Sequence, residues 1–243
     1  MLHIHRPKTT VKFVTVLVLI FGLTSSAMAQ RELNLPEHDQ KPYYFGITIG
    51  GNMSRFHTEL HPRFLQDDSV YVAEPNNNGG LALGLLATAR LSDRFQLRFN
   101  PQLMFINRSL RYKLKFPDQD GETEVTKNVE SVTVSFPIQL KFQSDRIGNF
   151  RVYMMAGLKG DIDLASNARA RKADDLVKLW KYDFGPELGL GFNFYFPSFI
   201  LSPELKISNG WRNLHARDEN LKYSSVLDRI QSRMIVLSIH IEG

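Results

Sequence analysis

Val132-Thr133-Val134-Ser135-Phe136-Pro137-Ile138-Gln139-Leu140-Lys141-Phe142 alternates apolar and polar residues along its whole length. In an extended chain, successive side chains point to opposite faces. Val132, Val134, Phe136, Ile138, Leu140 and Phe142 therefore share one face. Thr133, Ser135, Gln139 and Lys141 share the other, with Pro137 among them. Such a strand needs an apolar environment on one side and a polar one on the other.

Seven further stretches read the same way on either side of this one. They run from about Tyr43 to Asn52, Gly80 to Leu91, Arg94 to Phe116, Phe150 to Gly160, Tyr182 to Phe194, Phe199 to Ile207 and Ile235 to Ile241. Ser92-Asp93, Ser144 to Asn149 and Pro197-Ser198 make tight turns. Between the other pairs lie long polar connections, one ending in Pro75-Asn76-Asn77-Asn78-Gly79 and another spanning Asp161 to Leu179. Long and short connections alternate, and the first is long. An even strand count with both termini on the short-turn side is the organisation of an outer-membrane barrel. The expected fold is all-β: an antiparallel eight-stranded transmembrane β-barrel over residues 43–243, with short periplasmic turns and long extracellular loops. The apolar faces would meet lipid and the polar faces would line the interior.

The beginning of the chain agrees with export. Arg6, Lys8 and Lys12 precede an apolar run from Phe13 to Leu23, and Ala27-Met28-Ala29 is a small-x-small cleavage signature. Residues 1–29 are expected to be a cleaved signal peptide, and residues 30–42, with Pro36 and Pro42, a periplasmic lead. Cleavage takes away three basic residues, so the net charge of +5 falls to about +2. That balance does not argue for a nucleic-acid partner. The chain has no cysteine, so it has neither disulfides nor a residue to acylate. After the signal, no run of about twenty apolar residues would make a transmembrane helix.

Aromatic residues fall in two groups. Phe194, Tyr195, Phe196 and Phe199 flank a short turn, and Tyr112, Phe116, Trp180 and Trp211 lie where strands meet long loops, as belts at two interfaces would. Two features predict irregularity. The alternation of the third strand changes phase near Asn107, after which Leu110, Tyr112, Leu114 and Phe116 share a face, which suggests a bulge. Pro101, Pro137, Pro186 and Pro203 fall inside strands, where each removes a ladder hydrogen bond.

The inward phase carries Arg90, Arg98, Lys141, Arg151, Glu187, Glu204 and Lys206. An eight-stranded barrel has room inside only for its own side chains. Buried charges must be paired, so these residues are expected to form an internal polar plug and not a conducting pore. The basic run Arg169, Arg171, Lys172, together with Arg229 and Arg233, would lie at the loop rim. Such residues could contact lipopolysaccharide or a partner protein through charge-assisted hydrogen bonds. His57 and His61 have the spacing of metal ligands, but they sit in a predicted loop with no third ligand in view. Gly189 and Gly191 precede no helix, so relief of crowding is the simpler reading. No catalytic constellation, cofactor motif or small-molecule site is expected.

The wording of several segments is more specific than the alternation. Asn34-Leu35-Pro36 running into Phe45-Gly46-Ile47-Thr48, Ser144-Asp145-Arg146 with Arg151-Val152-Tyr153, and Asp163-Leu164-Ala165-Ser166-Asn167 with Ala170-Arg171-Lys172 are three such segments. Phe196-Pro197-Ser198-Phe199, Ser202-Pro203-Glu204 and the ending Ser232-Arg233-Met234 to His240-Ile241-Glu242-Gly243 are others. On these residues the chain resembles the PorT/SprT family of Bacteroidetes outer-membrane proteins, over nearly all of its mature length. The resemblance implies an accessory role in type IX secretion or gliding motility, with other secretion components as partners. It implies neither an enzyme nor the channel itself. Two other readings stand beside it: a generic small outer-membrane barrel with a structural or adhesive role, and a soluble periplasmic barrel with an apolar ligand inside.

Overall fold

The strands cover the alternating stretches, and most run further toward the long loops. The computed structural model describes residues 32–61, 70–117, 121–166, 178–216 and 226–243. A 3-10 turn at Pro36–Gln40 precedes β1 (Tyr43–Leu60), β2 (Val70–Asn76), β3 (Asn78–Arg90), β4 (Phe95–Phe99) and β5 (Gln102–Leu114). There follow β6 (Glu124–Gln143), β7 (Phe150–Asp163), β8 (Tyr182–Tyr195), β9 (Ile200–Asn209) and β10 (Leu227–Glu242). β2 and β3 are one strand interrupted at Asn77, and β4 and β5 are one interrupted at Asn100 and Pro101. The ten segments therefore form eight staves. All pairings are antiparallel, and β1 closes the ring by pairing with both β10 (Ile47 opposite Ile241) and β3 (Ile47 opposite Leu85). From Gly46 to Ser54, β1 is paired on both sides, and the ring is closed there. The unit that forms the barrel is Asn34–Gly243. The predicted signal, residues 1–29, lies outside the described residues.

Along the turn-proximal half of each stave the predicted faces hold. Phe45, Ile47, Leu83, Leu97, Ile138, Leu190, Leu205, Leu237 and Ile239 point outward and are exposed, while Thr48, Gln96, Arg98, Gln139 and Ser238 between them are buried. Beyond that zone the staves continue. β6 alone has 20 residues, about twice what a tilted barrel strand needs to cross a bilayer.

In the extension the residue types change sides while the backbone does not. Gln102, Met104, Ile106, Arg108, Leu110, Tyr112 and Leu114 all point inward without a break. The register of β5 on β6 runs unshifted from Gln102 opposite Ser135 to Lys113 opposite Glu124. The bulge expected near Asn107 is therefore absent. The phase change marks where apolar residues move from the outer to the inner face. Tyr112 is 0% exposed, so it does not belong to an interfacial belt, whereas Phe116 is exposed. Leu110, Tyr112 and Leu114 instead pack with Phe56, Val70, Leu179, Leu214, Leu227 and Ile230 in an apolar core at the loop end. The physical reason is the solvent. A stave outside the bilayer meets water on its outer face, so its apolar side must turn inward. Tyr195 is likewise buried at the turn end, leaving Phe194, Phe196 and Phe199 on the outside.

The prolines act by omitting rungs. β4 and β5 keep one register across Pro101 against both neighbours. β8–β9 pairing begins after Pro186 and lapses at Phe192 and Asn193, which lie across from Pro203 and Ser202. Among the described residues, the recorded register shifts fall at the loop ends, at Glu59/Leu60 and Val70/Val72. No described helix is long and apolar enough to cross a membrane.

Candidate functional site

Period-two geometry sends Arg98 of β4, Glu204 of β9 and Glu242 of β10 to the barrel axis, and all three are fully buried. The Arg98 guanidinium forks between the carboxylates. Nη1 lies 2.7 Å from Glu204 Oε2 and Nη2 lies 3.1 Å from Glu242 Oε1. Tyr153 donates its hydroxyl to Glu204 Oε2 at 2.7 Å. His240 Nε2 lies 3.2 Å from the other Glu204 oxygen, and Lys206 Nζ lies 3.9 Å from it. On its far side, His240 Nδ1 meets Thr48 Oγ1 at 2.8 Å, and Thr48 donates to Asn100 at 3.1 Å. Lys141 sits 4.0 Å above the Tyr153 ring and 3.5 Å from Asn193 Oδ1. Gln139 Nε2 donates to Glu187. Gly191 makes this arrangement possible, because a Cβ there would run into the Tyr153 ring.

A second polar cluster closes the turn end. Asp39, on the 3-10 turn, takes Arg146 Nη1 on one oxygen and Arg151 Nη1 on the other, each at 3.0 Å. Arg146 reaches back from the β6–β7 turn to the Asn34 carbonyl, to Asn149 Oδ1 at 2.9 Å and to Gly148 O at 2.8 Å. Its guanidinium lies 3.7 Å from the centroid of the Tyr195 ring. Asn34 bonds Asn149 and the Tyr195 carbonyl, both at 2.9 Å. Leu35 takes a left-handed backbone conformation (φ 50°) that turns the chain into this position. His38 packs on Tyr44 at 4.5 Å between ring centroids. Burial pushes its pKa down from the usual 6.5, so the neutral ring is the form that fits. The lead is thus a docked cap.

These two clusters leave almost no space. The cavity between them, lined by His38, Asp39, Tyr44, Gln96, Arg151 and Tyr195, measures about 10 Å³, roughly the room of one water. Glu204, His240 and Thr48 follow one another as carboxylate, imidazole and hydroxyl, with the Thr48 proton directed to Asn100. Thr48 is only 1% exposed. These contacts hold the barrel together and neutralise buried charge.

The predicted interior residues fall in three places. Arg98, Lys141, Glu187, Glu204 and Lys206 lie in the axial network, and Arg151 lies in the cap. Arg90 lies at the turn end, where it lines the cavity under the cap and pairs with Asp93 at 2.8 Å. Sequence reasoning missed Asp39, Arg146, Asn149, Tyr195, His240 and Glu242. The wording Asn34-Leu35-Pro36 and Ser144-Asp145-Arg146 was the available signal, since it is these segments that meet in the cap. At the loop end, Arg229 pairs with Glu59 at 3.8 Å and Arg233 points outward, exposed. Arg169, Arg171 and Lys172 lie outside the described residues. His57 belongs to β1 and not to a loop. Among the described residues no group of three or more His, Cys, Asp or Glu could hold a metal ion.

A profile of a family described as an outer membrane protein beta-barrel domain matches residues 28–215. Among solved structures, the chain is similar to Neisserial surface protein A, with 12% identity, 81% of this chain and 96% of that chain covered, and a TM-score of 0.38. It is similar to Ail, the attachment invasion locus protein of Yersinia pestis, solved with the heparin analogue sucrose octasulfate (10% identity, 84% and 100% covered, TM-score 0.38). A third similar structure is OprG from Pseudomonas aeruginosa (16% identity, 84% and 96% covered, TM-score 0.37). No curated protein matches.

Proposed function

We propose, from the premise that this chain belongs to the outer membrane protein beta-barrel domain family and lies in the outer membrane, that it is a closed barrel working through what touches its ends. The observation that carries this reading is the filled interior. Arg98, Glu204, Glu242, Tyr153 and His240 occupy the axis, and the docked lead covers the turn end. A barrel plugged by its own side chains passes neither ions nor polypeptide, so its work is done by surfaces.

Two roles fit such an object. A structural or adhesive role is favoured by the staves that continue past the bilayer around their own apolar core, a rigid collar presented to the outside. A role as an accessory component of type IX secretion rests on the PorT/SprT resemblance. It is supported by the meeting of family-like segments at the periplasmic cap, where Asn34, Arg146 and Arg151 share contacts. In that role the cap would face other secretion components.

Deletion of the gene separates the two. Under the secretion role, cargo proteins accumulate in the periplasm and reappear at the surface on complementation, and an Arg146→Ala chain that still inserts restores less export. Normal display of cargo in the deletion strain, with altered envelope integrity or adhesion, would leave the structural or adhesive role.

A further inference from the structure

The outward face of β3, β1, β10 and β9 carries an abrupt change of chemistry. One row across these strands consists of Met53, Ile235 and Ile207, with Gly79 paired to Met53. The next row toward the loops places Arg55 directly opposite Arg233, and Arg233 opposite Asn209. Asn77 completes the lining on the other side. Both arginines are exposed, and neither is paired with a carboxylate among the described residues. Like charges placed directly across a strand pair repel. Below them, Gly51 and Gly79 leave the surface open: the nearest atom to an added Cβ is 3.9 Å away at each. Met53, Arg55, Asn77, Ile207, Asn209, Arg233 and Ile235 line a groove of about 550 Å³ with an apolar floor and a cationic upper edge, and Gly51 and Gly79 lie beside it.

We propose that this groove binds a phosphorylated lipid of the outer leaflet. Its phosphate bridges Arg55 and Arg233, with Asn77 and Asn209 beside it, and its acyl chain lies over Gly51 and Gly79 against Met53, Ile207 and Ile235. A shared phosphate relieves the repulsion between the guanidiniums and matches their planar donors. The side of the barrel is that of the long loops, which in this family's orientation is the outer leaflet. The inference rests on the outer-membrane placement alone. It stands or falls independently of any secretion role.

The test uses the mature chain refolded in neutral detergent, with native mass spectrometry of bound lipid and the thermal midpoint as readouts. The probes are bis-phosphorylated lipid A, the same lipid enzymatically dephosphorylated, phosphatidylcholine and inorganic phosphate. We expect retention of the phosphorylated lipid and a raised midpoint with it alone. Arg55→Gln with Arg233→Gln should weaken its binding by roughly tenfold or more, about the worth of one charge-assisted hydrogen bond. Gly79→Leu, which places a bulky side chain beside Met53 and keeps both arginines, should also lower it. Each variant is scored only if it keeps the heat-modifiable gel migration of the folded barrel. Equal binding of the dephosphorylated lipid, unchanged binding in the double arginine variant, or stabilisation by inorganic phosphate equal to that by the lipid would each overturn the proposal.

Discussion

At the scale of single residues, Glu204 is the centre of the interior. It accepts from Arg98 and Tyr153 on one oxygen and faces His240 and Lys206 with the other. Truncating one partner of a buried pair is costly because the remaining charge is left without compensation. Glu204→Ala should therefore destabilise the barrel by about 3–5 kcal/mol in urea unfolding from lipid vesicles. A loss below about 0.5 kcal/mol, the range of an ordinary surface change, would show that the axis is not held together by this carboxylate. His38 gives the cap a pH dependence whose sign is set by its depressed pKa. The docked cap holds the neutral ring, and the released ring has an ordinary pKa near 6.5. Docking is then complete above that value and weakens as the pH falls below it. The protection factors of the amides over residues 34–41, which divide out the intrinsic acceleration of exchange with pH, should be lower at pH 5 than at pH 8, and His38→Phe should flatten the difference. Equal protection factors at both values in the parent chain would refute the assignment.

At the scale of the strand, alternation alone identified each stave, because every stave separates lipid from a polar interior. It misled where the environment outside changes from lipid to water. Along β5 the inward series stays on even positions from Gln102 to Leu114, yet its composition turns from polar to apolar beyond Gln102. A pattern of residue types reports which face is dry. It reports which face is inward only when the surroundings are known, and hence a change of solvent reads like a bulge. The prolines were legible as missing donors. Their consequence, omitted rungs with the register intact, depends on neighbouring strands that no local pattern describes. Tyr112 distinguishes the two readings of β5 by experiment. In an apolar core, Tyr112→Ala should cost about 3–5 kcal/mol, as for other large aromatic truncations, with loss of near-ultraviolet ellipticity at the loop end. A residue in an interfacial belt would lose far less, so a cost near zero would restore the belt and remove the core.

At the scale of the whole molecule, the chain is a ring whose two openings are closed by different means. The loop end is filled by apolar side chains from β1, β2, β5 and β10 and the segments that follow β9, and the turn end by the lead carrying Asp39. The inward charges could be read from period and barrel size. Their partners could not, because Arg98 meets Glu204 and Glu242 across separations of 106 and 144 residues. The cap was less legible still. Residues 34–41 have the composition of a linker, and only Arg146 and Arg151, brought alongside by the closing of the ring, give Asp39 its place. Two closures in series predict electrical silence. In a planar bilayer the refolded mature chain should show no stable conductance. Removing residues 31–41 should open only the turn end and leave it silent, since Arg98, Tyr153 and Glu204 still fill the axis. Removing the lead from a Glu204→Ala, Tyr153→Ala chain should still leave it silent, because the apolar core continues to close the loop end. A steady current through the parent chain would mean that the axial network is a gate and not a plug.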